Sequence, residues 1–138
     1  MQKILILLLL IVFSGFVFSD AFAYTISDDS TGGDCSTIGT WDSGSKTCTL
    51  SGNINEGVVI GGNYLTLDGG GYSIIGTIDP TIDRSIFGTD DDHGILVKVK
   101  TNTKITNVTV KNFNFGITLS DAPNTTISNS VIEQIRHE

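Results

Sequence analysis

A period of 22 residues governs the second half of this chain. Gly94-Ile95-Leu96-Val97 returns as Gly116-Ile117-Thr118-Leu119, and Asn102-Thr103-Lys104-Ile105-Thr106-Asn107 returns as Asn124-Thr125-Thr126-Ile127-Ser128-Asn129, at one offset. The correspondence continues through Val110 with Ile132 and Phe113 with Ile135, while the residues between change freely. What repeats is apolar residue, Asn and Gly, so the register is set by an interior and by turns. A fixed period in this range marks a solenoid, in which one unit cannot bury its own apolar face and stacks on the next.

Residue type selects the kind of unit. Runs such as Ile105-Thr106-Asn107-Val108-Thr109-Val110 and Ile95-Leu96-Val97-Lys98-Val99 place β-branched residues in alternation with Thr, Lys and Asn, a strand pattern broken by Asn or Gly at turns. No segment has helical length and period, and the LxxLxL ladder of a leucine-rich repeat is absent. An imperfect earlier copy runs from Gly57-Val58-Val59-Ile60 through Asn63 to Ile74, and Cys48 to Ile54 reads as the first strand before it. The stretch at about 76–93, with both prolines and Asp79, Asp83 and Asp90 to Asp92, breaks the period and reads as an inserted acidic loop.

The Asn-x-x-Ile-x-Asn pattern with Gly-Ile-x-Leu between copies resembles the right-handed parallel β-helix superfamily, the pectin-lyase-like scaffold. Residues 63–74 and 94–138 are similar in particular to the repeats of NosD-type periplasmic proteins and of the carbohydrate-binding and sugar-hydrolase β-helix group. The resemblance implies an all-β fold: a right-handed parallel β-helix of about four turns over residues 48–138. It says little about activity, since one scaffold hosts lyases, hydrolases, adhesins and structural proteins.

Such a scaffold stacks equal positions about 4.8 Å apart. The expected core stack is therefore Ile95 with Ile117, Val97 with Leu119, Ile105 with Ile127, Val110 with Ile132 and Phe113 with Ile135. Asn102 over Asn124 and Asn107 over Asn129 form the expected asparagine ladder, bonding amide to amide or to turn carbonyls, with Gly94 and Gly116 supplying positive φ at the other bend. Asn107-Val108-Thr109 and Asn124-Thr125-Thr126 are also glycosylation sequons, a role that packing into a ladder would preclude. The chain given stops at Arg136-His137-Glu138, just after the second unit. Three endings fit: a minimal polar cap, end-to-end self-association, or further turns in a longer protein, the last being the expectation.

Compartment is read from the first residues and the cysteines. Met1-Gln2-Lys3, the apolar run Ile4 to Phe18 and Ala21-Phe22-Ala23 form a signal peptide over 1–23, with cleavage before Tyr24; about 15 apolar residues fall short of a membrane span. Cleavage removes Lys3 and Asp20 together, so the net charge stays at −7, with no membrane attachment afterwards. Cys35 and Cys48 are the only cysteines and read as a disulfide closing an N-terminal cap region, 24–47, with Trp41 as a plug. These readings place the protein as secreted, periplasmic or at the cell surface. The acidic balance opposes counterion-release binding, so nucleic acid is not an expected partner.

Candidate chemistry is sparse. Asp90-Asp91-Asp92-His93 could contribute to a Ca²⁺ site, but hard-ion binding takes 6 to 8 oxygens and the loop has no EF-hand spacing, so a solvated acidic loop without cofactor is the reading. Lyase chemistry would draw on Arg84 beside Asp79 and Asp83; hydrolysis needs two facing carboxylates, for which Asp68 and Glu133 are surface candidates only. The copper handling implied by NosD likeness finds no Met after residue 1, two paired Cys, and only His93 and His137. Tyr64 and Tyr72, flanking a Gly-rich turn, are candidates for stacking on a sugar ring. The expected function is a structural or carbohydrate-binding module, with polysaccharide or cell-envelope components as partners; the alternative is a polysaccharide lyase or glycoside hydrolase.

Overall fold

The computed structural model describes residues 23–77 and 93–133. The expected signal peptide up to residue 22, most of the expected acidic loop including Asp90, Asp91 and Asp92, and Ile135 lie outside the described residues. What is described is all-β apart from a single turn of helix. In chain order the elements are β1 (Ala23–Ile26), α1 (Cys35–Ile38), β2 (Gly39–Asp42), β3 (Thr47–Leu50), β4 (Gly57–Ile60), β5 (Thr66–Asp68) and β6 (Ser73–Ile75). There follow β7 (His93–Lys98), β8 (Lys104–Thr106), β9 (Thr109–Lys111), β10 (Phe115–Ser120), β11 (Thr126–Ser128) and β12 (Val131–Glu133).

These strands form three sheets, ordered β1-β4-β7-β10, β2-β3-β5-β8-β11 and β6-β9-β12. Every pairing is parallel except β2 with β3, which is antiparallel. The period read from the sequence is the pairing register. Ile117 sits beside Ile95, Leu119 beside Val97, Ile127 beside Ile105 and Ile132 beside Val110. One step earlier Val58 pairs with Ile95, Leu67 with Ile105 and Ile74 with Val110, separations of 37, 38 and 36 residues. The excess over 22 comes from the long connection between β6 and β7, which leaves the register of all three sheets intact.

The interior is built from the central residue of each short strand and from corner residues. Cys48, Leu67 and Ile105 in one sheet, Ile74 and Val110 in another, and Ile60, Ile95 and Val97 in the third are buried, with Leu65, Val108 and Phe113 filling the corners. Each fully buried aliphatic contributes about 1.5–3 kcal/mol. The expected stack is corrected at its last member. Val97, Ile105 and Val110 are 0% exposed, whereas their partners Leu119, Ile127 and Ile132 are 46%, 43% and 48% exposed and Ile117 is half-buried. The reason is geometric: an inward side chain in a stacked strand is covered from both sides only when strands flank it on both sides, and no described strand lies beyond β10, β11 and β12.

The opposite end is closed. The disulfide between Cys35 and Cys48 is present, with Cα atoms 5.8 Å apart, and ties α1 to the inner row of the second sheet. Trp41, paired with Cys48, packs on the core and donates from its indole nitrogen to the Asp29 carbonyl at 3.0 Å. Its ring lies so close to Gly32 that a Cβ there would sit 2.4 Å from it, and Gly32 also has φ +72°. Residues 24–47 therefore do more than cap, for β1 pairs with β4 and β2 with β3 as edge strands of two sheets.

The bends correct two further expectations. Gly94 does not adopt positive φ; it lies inside β7, where a Cβ would meet Val110 Cγ1 at 2.2 Å and the Gly116 carbonyl oxygen at 2.7 Å. Close packing, not a left-handed bend, requires glycine there. Gly116 likewise lies within a strand, β10. Asn102, Asn107, Asn112, Asn124 and Asn129 are left-handed, with φ between 48° and 61°, as are Lys46, Tyr64, Val99 and Asp121. Asn tolerates this region because its short amide bonds locally. The Asn102 amide donates locally to Thr101 Oγ1 at 2.9 Å and the Asn107 amide reaches Asp68 Oδ1 of the preceding repeat at 3.2 Å, so these two amides bond to other side chains rather than to each other's stacked amides. Their backbone N–H groups instead reach the next repeat, Asn102 to the Pro123 carbonyl at 3.1 Å and Asn107 to that of Ser128 at 3.3 Å.

Candidate functional site

The three sheets each turn one set of residues away from the core. In the second sheet the strand centres Trp41, Cys48, Leu67, Ile105 and Ile127 form the inner row, so the flanking residues project outward. One outer row is Asp42, Thr47, Thr66, Lys104 and Thr126; the other is Thr40, Thr49, Asp68, Thr106 and Ser128. Members of a row are about 4.8 Å apart and the rows about 6.6 Å apart. The Ser128 hydroxyl donates to Thr106 Oγ1 at 3.0 Å, and Asp68 Oδ1 accepts from Gly70 N–H at 2.9 Å as well as from Asn107. Sequence reading missed these rows, although Thr47-Cys48-Thr49 carries the signal: hydroxyl residues on both sides of a core residue.

Tyr64 and Tyr72 lie beyond opposite ends of β5 and are 61% and 40% exposed. They therefore border this sheet at two separate corners and do not form one clamp. Tyr64 has φ 60° at the corner that Asn102 and Asn124 occupy in later repeats. A bulky residue is disfavoured there, at a cost of about 1 kcal/mol.

The remaining candidates are dispersed. His93, the one described member of the expected Ca²⁺ cluster, has Nδ1 2.7 Å from Thr118 Oγ1 and its ring stacked on Phe115 at 4.9 Å. Among the described residues no group of three His, Cys, Asp or Glu is placed to hold a metal ion. Asp68 is in the second sheet and Glu133 in the third, on different faces. Asn107 and Asn124 are exposed, so packing does not deny them a glycan.

Two carboxylates are lowered from the usual range by hydrogen bonds rather than by charge, Asp29 well below it. Asp29 accepts from Gly33 N–H at 2.9 Å, the Ser27 hydroxyl at 2.7 Å and both N–H and hydroxyl of Thr31 at 2.9 Å, which fastens the loop after β1. Asp42 is lowered by the Ser45 hydroxyl at 2.9 Å, then by the Ser45 and Gly44 backbone, in the turn between β2 and β3. Asp28 and Lys46 form an exposed ion pair at 2.5 Å. All three are local ties at the closed end.

Comparison with protein-family models, with curated proteins and with solved structures finds no match.

Proposed function

We propose that the chain is an exported, cell-surface or periplasm-type module wound as a right-handed parallel β-helix of about four turns, with a structural or binding role toward carbohydrate on a lateral sheet face. One observation carries the reading: strands from successive repeats enter the same three sheets in the same order, and their partners all step by 22 residues in the last repeat. Winding is the simplest path that gives parallel pairing in three sheets at once. The disulfide supports an oxidising compartment. Among the described residues no helix is long and apolar enough to cross a membrane. The exposed rings of Tyr64 and Tyr72 support contact with sugar, since an aromatic face suits the apolar face of a pyranose. Self-association through the exposed ends of the sheets belongs to the same reading.

The test is a screen of the purified full chain against neutral and acidic polysaccharides, measuring retention and product release together. Retention without product is expected. Release of unsaturated sugars or new reducing ends would overturn the reading in favour of a lyase or hydrolase. Tyr64→Asn separates structure from binding. It should weaken retention while raising the melting temperature slightly, because Asn relieves about 1 kcal/mol at a left-handed corner.

A further inference from the structure

The three outer faces differ in kind. On the first sheet the outward row Thr25, Val59, Leu96 and Thr118 has aliphatic residues at its centre, and Leu96 is buried. The third sheet presents Ser73, Thr109 and Val131 in one row and Ile75, Lys111 and Glu133 in the other, a mixture without pattern. Only the second sheet places Thr or Ser at seven of its ten outward positions, of which Thr106 is nearly covered at 7% exposure. Its rows cross five strands, and the hydroxyls begin to link along them, Ser128 to Thr106. A generic solvent-facing surface would repeat the mixture of the third sheet.

Charge narrows the ligand. The chain carries a net −7, yet this face has only Asp42, Asp68 and Lys104. Asp68 already accepts two hydrogen bonds from Gly70 and Asn107, and Asp42 is bonded by its own turn. A polyanion would find one cation against two carboxylates, and a polycation would find too little charge to hold it. A neutral polymer carrying many hydroxyls meets neither obstacle. Hydroxyls suit it because each can donate and accept, so a row can follow a ligand whose own groups alternate in role.

We propose that the outer face of β2, β3, β5, β8 and β11 is a ligand surface for an uncharged, hydroxyl-rich polysaccharide lying across the strands, with Thr47, Thr66, Lys104 and Thr126 along its path and Tyr64 at its margin. This rests on the carbohydrate reading above and adds the face and the charge class of the ligand. Polymer direction follows from the rows: they run perpendicular to the strands, and successive strands offer equivalent groups at a near-constant step of about 4.8 Å.

The experiment measures depletion of the full chain from solution by an insoluble neutral glucan, a neutral xylan and polygalacturonate. Thr66→Glu with Thr126→Glu places two new carboxylates on the face without touching the inner row, and Lys111→Glu on the third sheet is the control. The expected result is retention on a neutral polymer, weakened about tenfold in the double variant and unchanged in the control, with equal melting temperatures. Thr66→Val with Thr126→Val, which keeps strand propensity, should weaken retention in the same direction and covers the case in which the charged variant does not fold. Retention that falls with Tyr64→Asn but not with either threonine pair would leave the carbohydrate reading standing and overturn this face. Retention by polygalacturonate alone would overturn the charge class, and no retention by any polymer would remove both readings. Slowed growth of ice crystals, abolished by the threonine changes, would make ordered water the ligand and also overturn the proposal.

Discussion

Ile105 and Ile127 occupy the same position of successive repeats and pair side by side, yet one is sealed and the other is almost half exposed. The same holds for Val110 against Ile132 and Val97 against Leu119. Equivalent positions of the repeat thus differ in burial, because where strands pair in register the environment of a residue comes from the neighbouring repeats and not from its own. The closed end teaches the converse. There a disulfide, an indole and a short antiparallel pair cover Cys48 and Leu50, although these residues have no upstream repeat of the same kind. Coverage can be supplied by irregular structure, at the cost of specific residues such as Gly32.

The largest effect that would break this comparison is a cavity in a sealed row. Ile105→Ala should lower stability by about 2–5 kcal/mol and Ile127→Ala by under about 1 kcal/mol, measured by chemical denaturation. Equal losses would mean that the two positions are covered alike. Next is the closure itself. Replacing Cys35 and Cys48 by Ser should cost about 3 kcal/mol, as expected for a loop of this length, and should expose Trp41 to a fluorescence quencher. A loss of that size without exposure would detach the disulfide from the Trp41 plug.

A smaller change sharpens the account of the middle. Thr103 is 1% exposed and its hydroxyl has no hydrogen-bond partner, whereas the equivalent Thr125 donates to the Ala122 carbonyl at 2.9 Å. Thr103→Val should therefore be neutral or stabilising by up to about 1 kcal/mol, and Thr125→Val destabilising by a similar amount. The smallest effect concerns acid. Because hydrogen bonds lower the folded-state pKa of Asp29 and Asp42, their contribution is complete above about pH 5 and is lost as pH falls below about 4. Asp29→Asn should flatten the acid limb of a pH-dependent melting curve and leave the curve near pH 7 little changed in shape.

Much of this was legible in the residues. The strands of the last two repeats follow from alternation of β-branched and polar residues, and their register from an offset repeated at Ile, Val and Asn. What escaped did so for physical reasons. Strand β1 is four residues long and follows the apolar run Ile4 to Phe18, so no period reveals it. Tyr64 sits at a left-handed corner where residue type argues against it, and only its pairing beside Asn102 exposes the equivalence. Gly94 reads as a bend because glycine most often marks one, while the clash with Val110 that excludes a Cβ depends on a contact 16 residues away. The hydroxyl rows were visible as Thr47-Cys48-Thr49, but a face exists only once register sets such triplets side by side. Candidate sites fared worse than architecture, since the acidic loop falls outside the described residues and exposed aromatics carry no partner with them.

The most direct test of the stacked register is methyl-to-methyl proximity in the folded chain, read by nuclear Overhauser effects with Ile, Leu and Val methyl groups labelled. The account predicts cross-peaks from Ile105 to both Leu67 and Ile127, and from Val110 to both Ile74 and Ile132. Contacts from Ile105 to Ile127 but not to Leu67, or to residues one position out of register, would contradict it.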